Sequence, residues 1–228
     1  MSDAWFQQPL FGITITVVFY VAAQLLNGRF RRVNPLLVTS GGIMALLLLC
    51  DIPYDDYRIG GEVITFFLGP ATVALAVPFY KYFRKLKGQL LPIISAVSAG
   101  SVCGLLAVWG ISSLFQASEQ IMLTLMPKSV TTPIAIEIAE LLGGTPEMAG
   151  VFAVLTGLLG SMIGPTILKL CKIRSDEAIG AAMGTAAHGI GTARVMHDSE
   201  IQGGISAFAM GMSSILTPLF CIPLIWWL

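Results

Sequence analysis

Long apolar runs joined by short charged loops are the feature that most constrains the fold of this chain. The runs Leu90–Phe115 and Gly203–Leu228 each exceed the roughly 20 residues that a helix needs to cross a bilayer. Only 11% of the 228 residues are charged, whereas about 25% of a typical soluble domain is charged. We therefore expect an all-α polytopic membrane protein of about seven to eight membrane elements, forming one integral domain over residues 1–228.

The charged residues exclude some functions and predict the orientation of the loops. The 13 basic and 13 acidic residues leave no broad basic face for nucleic-acid binding. No nucleophile with a paired base, carboxylate dyad, phosphate loop or metal-ligand spacing occurs, so we expect no enzyme, metal or cofactor. By the positive-inside rule, the loops with basic clusters are predicted to be cytoplasmic. The clusters are Arg29, Arg31 and Arg32; Lys81, Arg84, Lys85 and Lys87; and Lys169, Lys172 and Arg174.

Three apolar segments are interrupted by proline or glycine. Proline removes a helix hydrogen bond and clashes with the preceding turn, and glycine allows unusual backbone angles, so both indicate breaks. The segments are Gly61–Phe83, Ser118–Leu142 and Ala178–Val195. The predicted breaks and helix starts within them are Gly69, Pro70, Pro127, Pro133 and Gly184.

The segment Ser118–Leu142 has two interpretations. Its two pieces are each too short to cross about 30 Å of hydrocarbon. If the loops are placed by charge, the segment starts and ends on one side, which favours a re-entrant hairpin. An internal repeat favours a broken span instead, because at an offset of 57 residues LGPATV from Leu68 matches LMPKSV from Leu125. Transporter folds are often built by such duplication, and the sequence leaves both interpretations open.

The first candidate site is KSVTTP, which opens a short predicted helix. Its candidate binding residues are Lys128, Ser129, Thr131 and Thr132. Free amides at a helix start, together with hydroxyls and an ammonium group, favour a carboxylate or a phosphate. In the alternative interpretation, Ser129 or Thr131 only caps the helix and Lys128 extends its ammonium group to water.

The second candidate site is GTAAHGIGTAR, which places polar groups inside an apolar segment. Its candidate binding residues are Thr185, His188, Gly189, Gly191, Thr192 and Arg194. In a continuous helix Thr185, His188 and Thr192 would share one face. His188 either binds a carboxylate or relays a proton, or is a histidine hydrogen-bonded between packed helices. Arg194 either neutralises a substrate carboxylate or marks the cytoplasmic end of the segment.

These motifs resemble the LrgB/CidB family of membrane proteins and the related C-terminal half of the plastidic glycolate/glycerate transporter. The resemblance covers nearly the whole chain. It rests on NPLL from Asn34, LGPATVALAVPFY from Leu68, PKSVTTPIAIEIAE from Pro127, GAAMGTAAHGIGTAR from Gly180 and MGMSSILTPL from Met210.

The resemblance implies one of two functions. The first is secondary transport of small 2-oxo or 2-hydroxy monocarboxylates, such as pyruvate, lactate, glycolate or glycerate. The second is a holin/antiholin-like role in murein hydrolase export and cell lysis. We favour transport, because the two motifs offer an anion site and a holin-type pore needs none.

The resemblance also predicts the setting in which the chain works. It implies a bacterial cytoplasmic (inner) membrane and a small partner membrane protein of LrgA/CidA type. We expect a homo-oligomer in the lipid bilayer, with transport coupled to Na⁺ or H⁺. For sodium the hydroxyls of Thr131, Thr132 or Thr192 would be ligands, and for protons His188 is the expected carrier.

Overall fold

All regular secondary structure in the described part of the chain is helical. The computed structural model describes residues 3–30, 34–74, 77, 80 and 87–225, and no strand occurs among them. Four of the described helices are long and apolar enough to cross a membrane. The predicted all-α polytopic membrane fold is therefore confirmed. The chain divides into two compact units, Met1–Ala74 and Leu75–Leu228.

The first unit is built around one apolar helix. Its elements are α1 (Asp3–Phe6), α2 (Pro9–Arg29), α3 (Pro35–Leu49), α4 (Tyr54–Phe66) and α5 (Leu68–Ala74). Helix α2 packs against α3 and α4. A Cβ atom added to Gly12 would lie 2.5 Å from the Tyr57 carbonyl oxygen, so the absence of a side chain lets α2 and α4 approach closely. The hydroxyls of Thr16 and Tyr57 are hydrogen-bonded at 2.9 Å beside this contact.

The first predicted break lies slightly earlier than the sequence indicates. The chain turns at Phe67, between α4 and α5, rather than at Gly69 and Pro70. Both residues fall in the first turn of α5. Proline is tolerated there because the backbone N–H that it lacks would have no partner within the helix.

The described part of the second unit contains three long helices, two short ones and a 21-residue helix with a non-helical residue inside it. A 3-10 turn (Lys87–Gln89) leads into α6 (Leu90–Leu114), and α7 (Glu119–Leu125) is followed by a 3-10 turn (Met126–Ser129) and α8 (Thr132–Leu142). The remaining elements are α9 (Pro146–Leu170), α10 (Asp176–Met196) and α11 (Glu200–Ile225). Helices α6, α9 and α11 have the length of membrane spans.

The elements α7 and α8 form a helical hairpin, which we call the first hairpin. They are joined by the 3-10 turn containing Pro127 and by Val130, whose backbone is extended (φ −101, ψ 176). The N–H of Thr145, just beyond α8, donates to Thr124 Oγ1 at 2.8 Å, and Gln120 donates to the Thr145 hydroxyl at 3.3 Å. The end of α8 has therefore returned to α7. Of the two interpretations of this segment, the hairpin is the observed one.

Helix α10 is also a hairpin, which we call the second hairpin. Its backbone leaves the helical region at His188 (φ 40, ψ −134). A Cβ atom on Gly191 would lie 2.8 Å from the carbonyl oxygen of Met183, whereas a continuous helix would separate these residues by about 12 Å. Asp176, at the start of α10, accepts hydrogen bonds from Gln202 at 2.7 Å and from Ser199 at 3.4 Å, so the hairpin starts and ends at the same place.

Two expectations for this segment are wrong. The break lies at His188 and not at Gly184, which remains helical and packs against the Ser206 carbonyl of α11, where no side chain would fit. Thr185 and Thr192 do not share a helix face with His188, because the chain reverses between them. A spacing of i, i+3 and i+7 places residues on one face only while the helix continues.

The two hairpins enter the second unit from opposite ends. The first hairpin ends just before α9 begins, and the second begins just after α9 ends. Helix α9 has 25 residues and therefore extends about 37 Å, enough to cross the hydrocarbon. The second hairpin belongs to the end that carries Lys169, Lys172 and Arg174, which we call the basic end and which the positive-inside rule predicts to be cytoplasmic.

Cysteine labelling tests the hairpin arrangement. In a chain with its four native cysteines replaced, Glu177→Cys and Asp198→Cys flank the second hairpin, and Glu119→Cys and Glu147→Cys flank the first. We expect a membrane-impermeant maleimide to label both cysteines that flank the first hairpin from one face of oriented vesicles, and both cysteines that flank the second hairpin from the other face. Labelling of Glu177→Cys and Asp198→Cys from different faces would contradict the second hairpin.

Candidate functional site

A cavity of about 760 Å³ lies between α6, α9 and α10 and reaches the turn of the first hairpin. Its polar lining consists of Lys128, Ser129, Thr156 and Thr185. The other lining residues are glycine, alanine, leucine, isoleucine and methionine. The cavity therefore combines one charged group and three hydroxyls with an otherwise apolar wall, a composition typical of small-molecule binding sites.

Lys128 and Ser129 lie in the 3-10 turn at the tip of the first hairpin. The Lys128 Nζ atom donates to Ser129 Oγ at 3.2 Å, and both residues are partly buried. No carboxylate of the described residues lies within salt-bridge distance of the ammonium group. The turn thus presents Lys128 with no counter-charge among the described residues, and an unpaired charge that is partly buried is costly.

Two glycines of α6 bring the cavity wall close to these polar groups. A Cβ atom added to Gly104 would lie 4.0 Å from Ser129 Oγ, and one added to Gly100 would lie 3.1 Å from Thr185 Cγ2. Thr185 is buried and donates its hydroxyl proton to the Ala181 carbonyl at 2.7 Å. Its side chain therefore shapes the wall, and its oxygen can still accept a hydrogen bond.

His188 lies at the tip of the second hairpin, but it is not among the residues that line the cavity. Its side chain is only 3% exposed, and Nε2 donates to the Ala153 carbonyl of α9 at 2.8 Å. A Cβ atom on Gly157 would lie 2.7 Å from the ring atom Cε1, so the imidazole packs directly on the α9 backbone. Of its predicted roles, hydrogen bonding between packed elements is the one that this geometry supports.

Thr192 and the two preceding glycine candidates pack around the reversal at His188. The Thr192 hydroxyl is fully buried, donates to the His188 carbonyl at 2.8 Å and accepts from Ser206 Oγ at 2.8 Å. Gly189 lies near Met210 and Gly191 packs against the first half of the hairpin, and none of these residues lines the cavity. A histidine with positive φ needs such support, because that conformation is unfavourable for residues with a Cβ atom.

Three other predicted binding residues also lie outside the cavity lining. Thr131 is the N-cap residue of α8, and its carbonyl accepts from Ala135 N at 2.9 Å. The methyl group of Thr132 faces Gly150 of α9. Arg194 is exposed and forms an ion pair with Asp198 at 2.7 Å, because Arg194 lies in the last turn of the second hairpin and Asp198 follows it four residues later at the basic end. The structure therefore places Arg194 at a surface and not at the candidate site.

Sequence reasoning missed most of the cavity wall. Ala96, Gly100 and Gly104 of α6 and Thr156, Gly160 and Gly164 of α9 all line the cavity. Each set repeats every four residues, which places its members on one helix face. This spacing of small residues is visible in the sequence and indicates close helix approach, but it does not reveal which helices enclose a space.

The chain is similar in sequence to one known family over most of its length. The profile of the LrgB-like family matches residues 16–228. The chain belongs to this family. Two Bacillus subtilis (strain 168) members, both described as uncharacterized, are YwbG, 40% identical over 205 residues (89% of this chain, 91% of YwbG), and YxaC, 37% identical over 218 residues (95% and 94%).

A second group of LrgB-like relatives carries a functional description. The "Holin-like protein CidB" of Staphylococcus aureus (strain Mu50 / ATCC 700699) is 33% identical over 219 residues, covering 95% of each chain. The protein of the same name from Staphylococcus epidermidis (strain ATCC 12228 / FDA PCI 1200) is 31% identical over 212 residues, covering 92% of this chain and 93% of the relative. No solved structure matches the chain significantly.

The contact between His188 and Gly157 is tested by adding one methyl group. Gly157→Ala places a Cβ atom against the His188 ring, which Ala153 holds in place, so we expect a loss of about 1–3 kcal/mol of stability. Gly110→Ala on α6 is the matched control, because nothing lies within 4 Å of its added Cβ. Thermal unfolding in detergent measures the stability of both variants, and equal unfolding midpoints for the two would contradict the described packing.

Proposed function

We propose that this LrgB-like protein is a secondary transporter of small 2-oxo or 2-hydroxy monocarboxylates. The observation that carries the proposal is the ammonium group of Lys128, which lies at the inner end of a cavity with no described carboxylate within salt-bridge distance. A charge in the membrane interior is retained where it serves a substrate or ion pathway. A bound carboxylate would supply the missing counter-charge.

The groups around Lys128 suit a carboxylate in particular. Ser129 Oγ accepts a hydrogen bond from Lys128, which leaves the hydroxyl proton of Ser129 to donate to a carboxylate oxygen. Thr132, the first residue of α8, follows three residues after Ser129, and the positive end of a helix dipole also favours an anion. Charge-assisted hydrogen bonds of this kind are stronger than neutral ones.

The hairpins support transport by alternating access. The cavity extends along α9 from Thr156 to Leu168, towards the basic end. At the other side of the cavity, the first hairpin and α6 are joined by a packed apolar cluster. This cluster includes Leu105, Met126 and Val130. Packed side chains thus close the site on the side of the first hairpin, as a carrier requires of one side in each of its two states. Movement of a hairpin relative to the long helices would open that side.

The remaining elements of the proposal concern coupling and setting. We propose coupling to protons, or to sodium through hydroxyls and the carbonyls freed at the helix breaks. The site of action is the cytoplasmic (inner) membrane of a bacterium, with a small LrgA/CidA-type partner and a homo-oligomeric assembly. No catalytic step and no resident cofactor is part of this function.

A holin-like role is the second candidate function. The observation that favours it is the name of the staphylococcal relatives, "Holin-like protein CidB", which supports this role better than it supports transport. The two candidates differ in what crosses the membrane. A carrier is saturable and selective for its substrate, whereas a holin-type pore passes unrelated solutes.

Uptake by proteoliposomes tests the proposal. We expect saturable uptake of labelled pyruvate, lactate or glycolate, with and without an LrgA-type partner, and at least a tenfold loss in Lys128→Met, because the carboxylate loses its counter-charge. Lys169→Met is the matched control, since Lys169 is exposed and lies outside the cavity lining. It should retain uptake.

A trapped fluorescent dye in the same vesicles separates the two candidates. Release of the dye by the wild-type protein, unchanged in Lys128→Met, would favour the holin-like role and contradict the carrier. Absence of uptake both with and without the LrgA-type partner, together with no dye release, would also contradict the carrier.

A further inference from the structure

We infer that the cavity accepts monocarboxylates with an apolar tail, and that medium-chain 2-oxo acids bind more tightly than three-carbon acids. The inference rests on the proposed function, since it assigns the carboxylate to Lys128 and Ser129. It adds a substrate class that the rest of the cavity selects.

The volume of the cavity is the first argument. Pockets of roughly 300–1,000 Å³ bury ligands of drug size, and this cavity of about 760 Å³ lies well inside that range. A three-carbon acid bound at Lys128 would leave most of the cavity unfilled. The unfilled part is lined by aliphatic groups, including Leu159, Ile163 and Leu168, which bind hydrocarbon better than they bind ordered water.

The separation of polar from apolar lining is the second argument. Along α6, Gly104 lies beside Ser129 and Gly100 beside Thr185, whereas Ala96 lies two turns from Gly104, about 12 Å along the helix axis. Along α9 the lining continues from Thr156 to Leu168, about 18 Å. The cation therefore lies at one end of an elongated apolar space, and a molecule that complements it has a carboxylate at one end and a hydrocarbon chain behind it.

The free energy gained by burying a hydrocarbon tail is the third argument. At Gly160 and Gly164 the space for a Cβ atom is already filled by Ala187 and Met183 of α10, so the tail would lie against the aliphatic side chains of the lining. Each buried methylene should improve binding about fourfold, the factor that corresponds to about 0.8 kcal/mol.

Competition by a homologous series tests the inference. Uptake of labelled pyruvate is measured with increasing concentrations of unlabelled pyruvate, 2-oxobutyrate, 2-oxovalerate and 2-oxohexanoate. We expect the concentration for half-inhibition to fall by about three- to fourfold with each added methylene. Methyl 2-oxohexanoate controls for effects on the lipid, because this neutral ester has a similar tail without the charge that Lys128 would bind. It should not compete.

A matched pair of variants locates the tail. Ala96 and Ala99 are both exposed alanines of α6, but only Ala96 lines the cavity. Ala96→Phe should fill the far end and raise the half-inhibition ratio of 2-oxohexanoate to pyruvate at least tenfold. Ala99→Phe should leave that ratio at the wild-type value. Equal ratios in the two variants would place the tail outside the cavity and overturn the inference.

The outcomes also separate this inference from the proposed function. If pyruvate is taken up but longer acids compete no better, the tail inference is wrong and the transporter remains. If no uptake occurs, equilibrium binding of labelled 2-oxohexanoate to the purified protein decides the matter. Saturable binding that Ala96→Phe weakens would support the tail site without transport. The absence of saturable binding, or a retained phospholipid that the acid does not displace, would overturn it.

Discussion

A broken helix inside a bilayer must have its free backbone groups satisfied by protein or by a water-filled cavity, and this constraint organises the second unit. The chain is broken at the turn around Pro127 and again at His188. Around the second break, Thr192 binds the His188 carbonyl and Ser206, and the imidazole binds the Ala153 carbonyl. At the first break the chain instead exposes Lys128 and Ser129 to the cavity. One tip is thus internally satisfied, and the other has unused capacity to bind.

This difference assigns different roles to two motifs that the sequence presents as equals. KSVTTP places its cation and one hydroxyl in the cavity. GTAAHGIGTAR supplies Thr185 to the wall and uses its histidine and second threonine to hold a reversed chain. A polar residue in an apolar segment can therefore serve the fold or the ligand, and only its hydrogen-bond partners show which. The buried, fully engaged Thr192 belongs to the fold, and the half-buried Lys128 belongs to the site.

The sequence predicts the apolar helices, the break at Pro127 and the position of Lys128 in it, because these follow from local composition and from the properties of proline. It does not predict the reversal at His188, since a positive φ at a histidine depends on contacts with Gly157 and Ala153, which lie more than 30 residues away in the chain. It also assigns Arg194 to the site, although Arg194 forms a local ion pair with Asp198. The cavity wall depends on which small-residue faces meet, and spacing alone cannot determine that.

Access to the tip of the first hairpin tests the central claim most directly. Ser129→Cys, in a chain without its native cysteines, keeps Lys128 and places a thiol at the inner end of the cavity. The rate of its reaction with a membrane-impermeant thiol reagent is measured from each face, with and without pyruvate. The account predicts reaction from the basic end, slowed by pyruvate. A thiol that is unreactive from both faces, or one whose reaction pyruvate does not slow, would contradict an anion site at this tip.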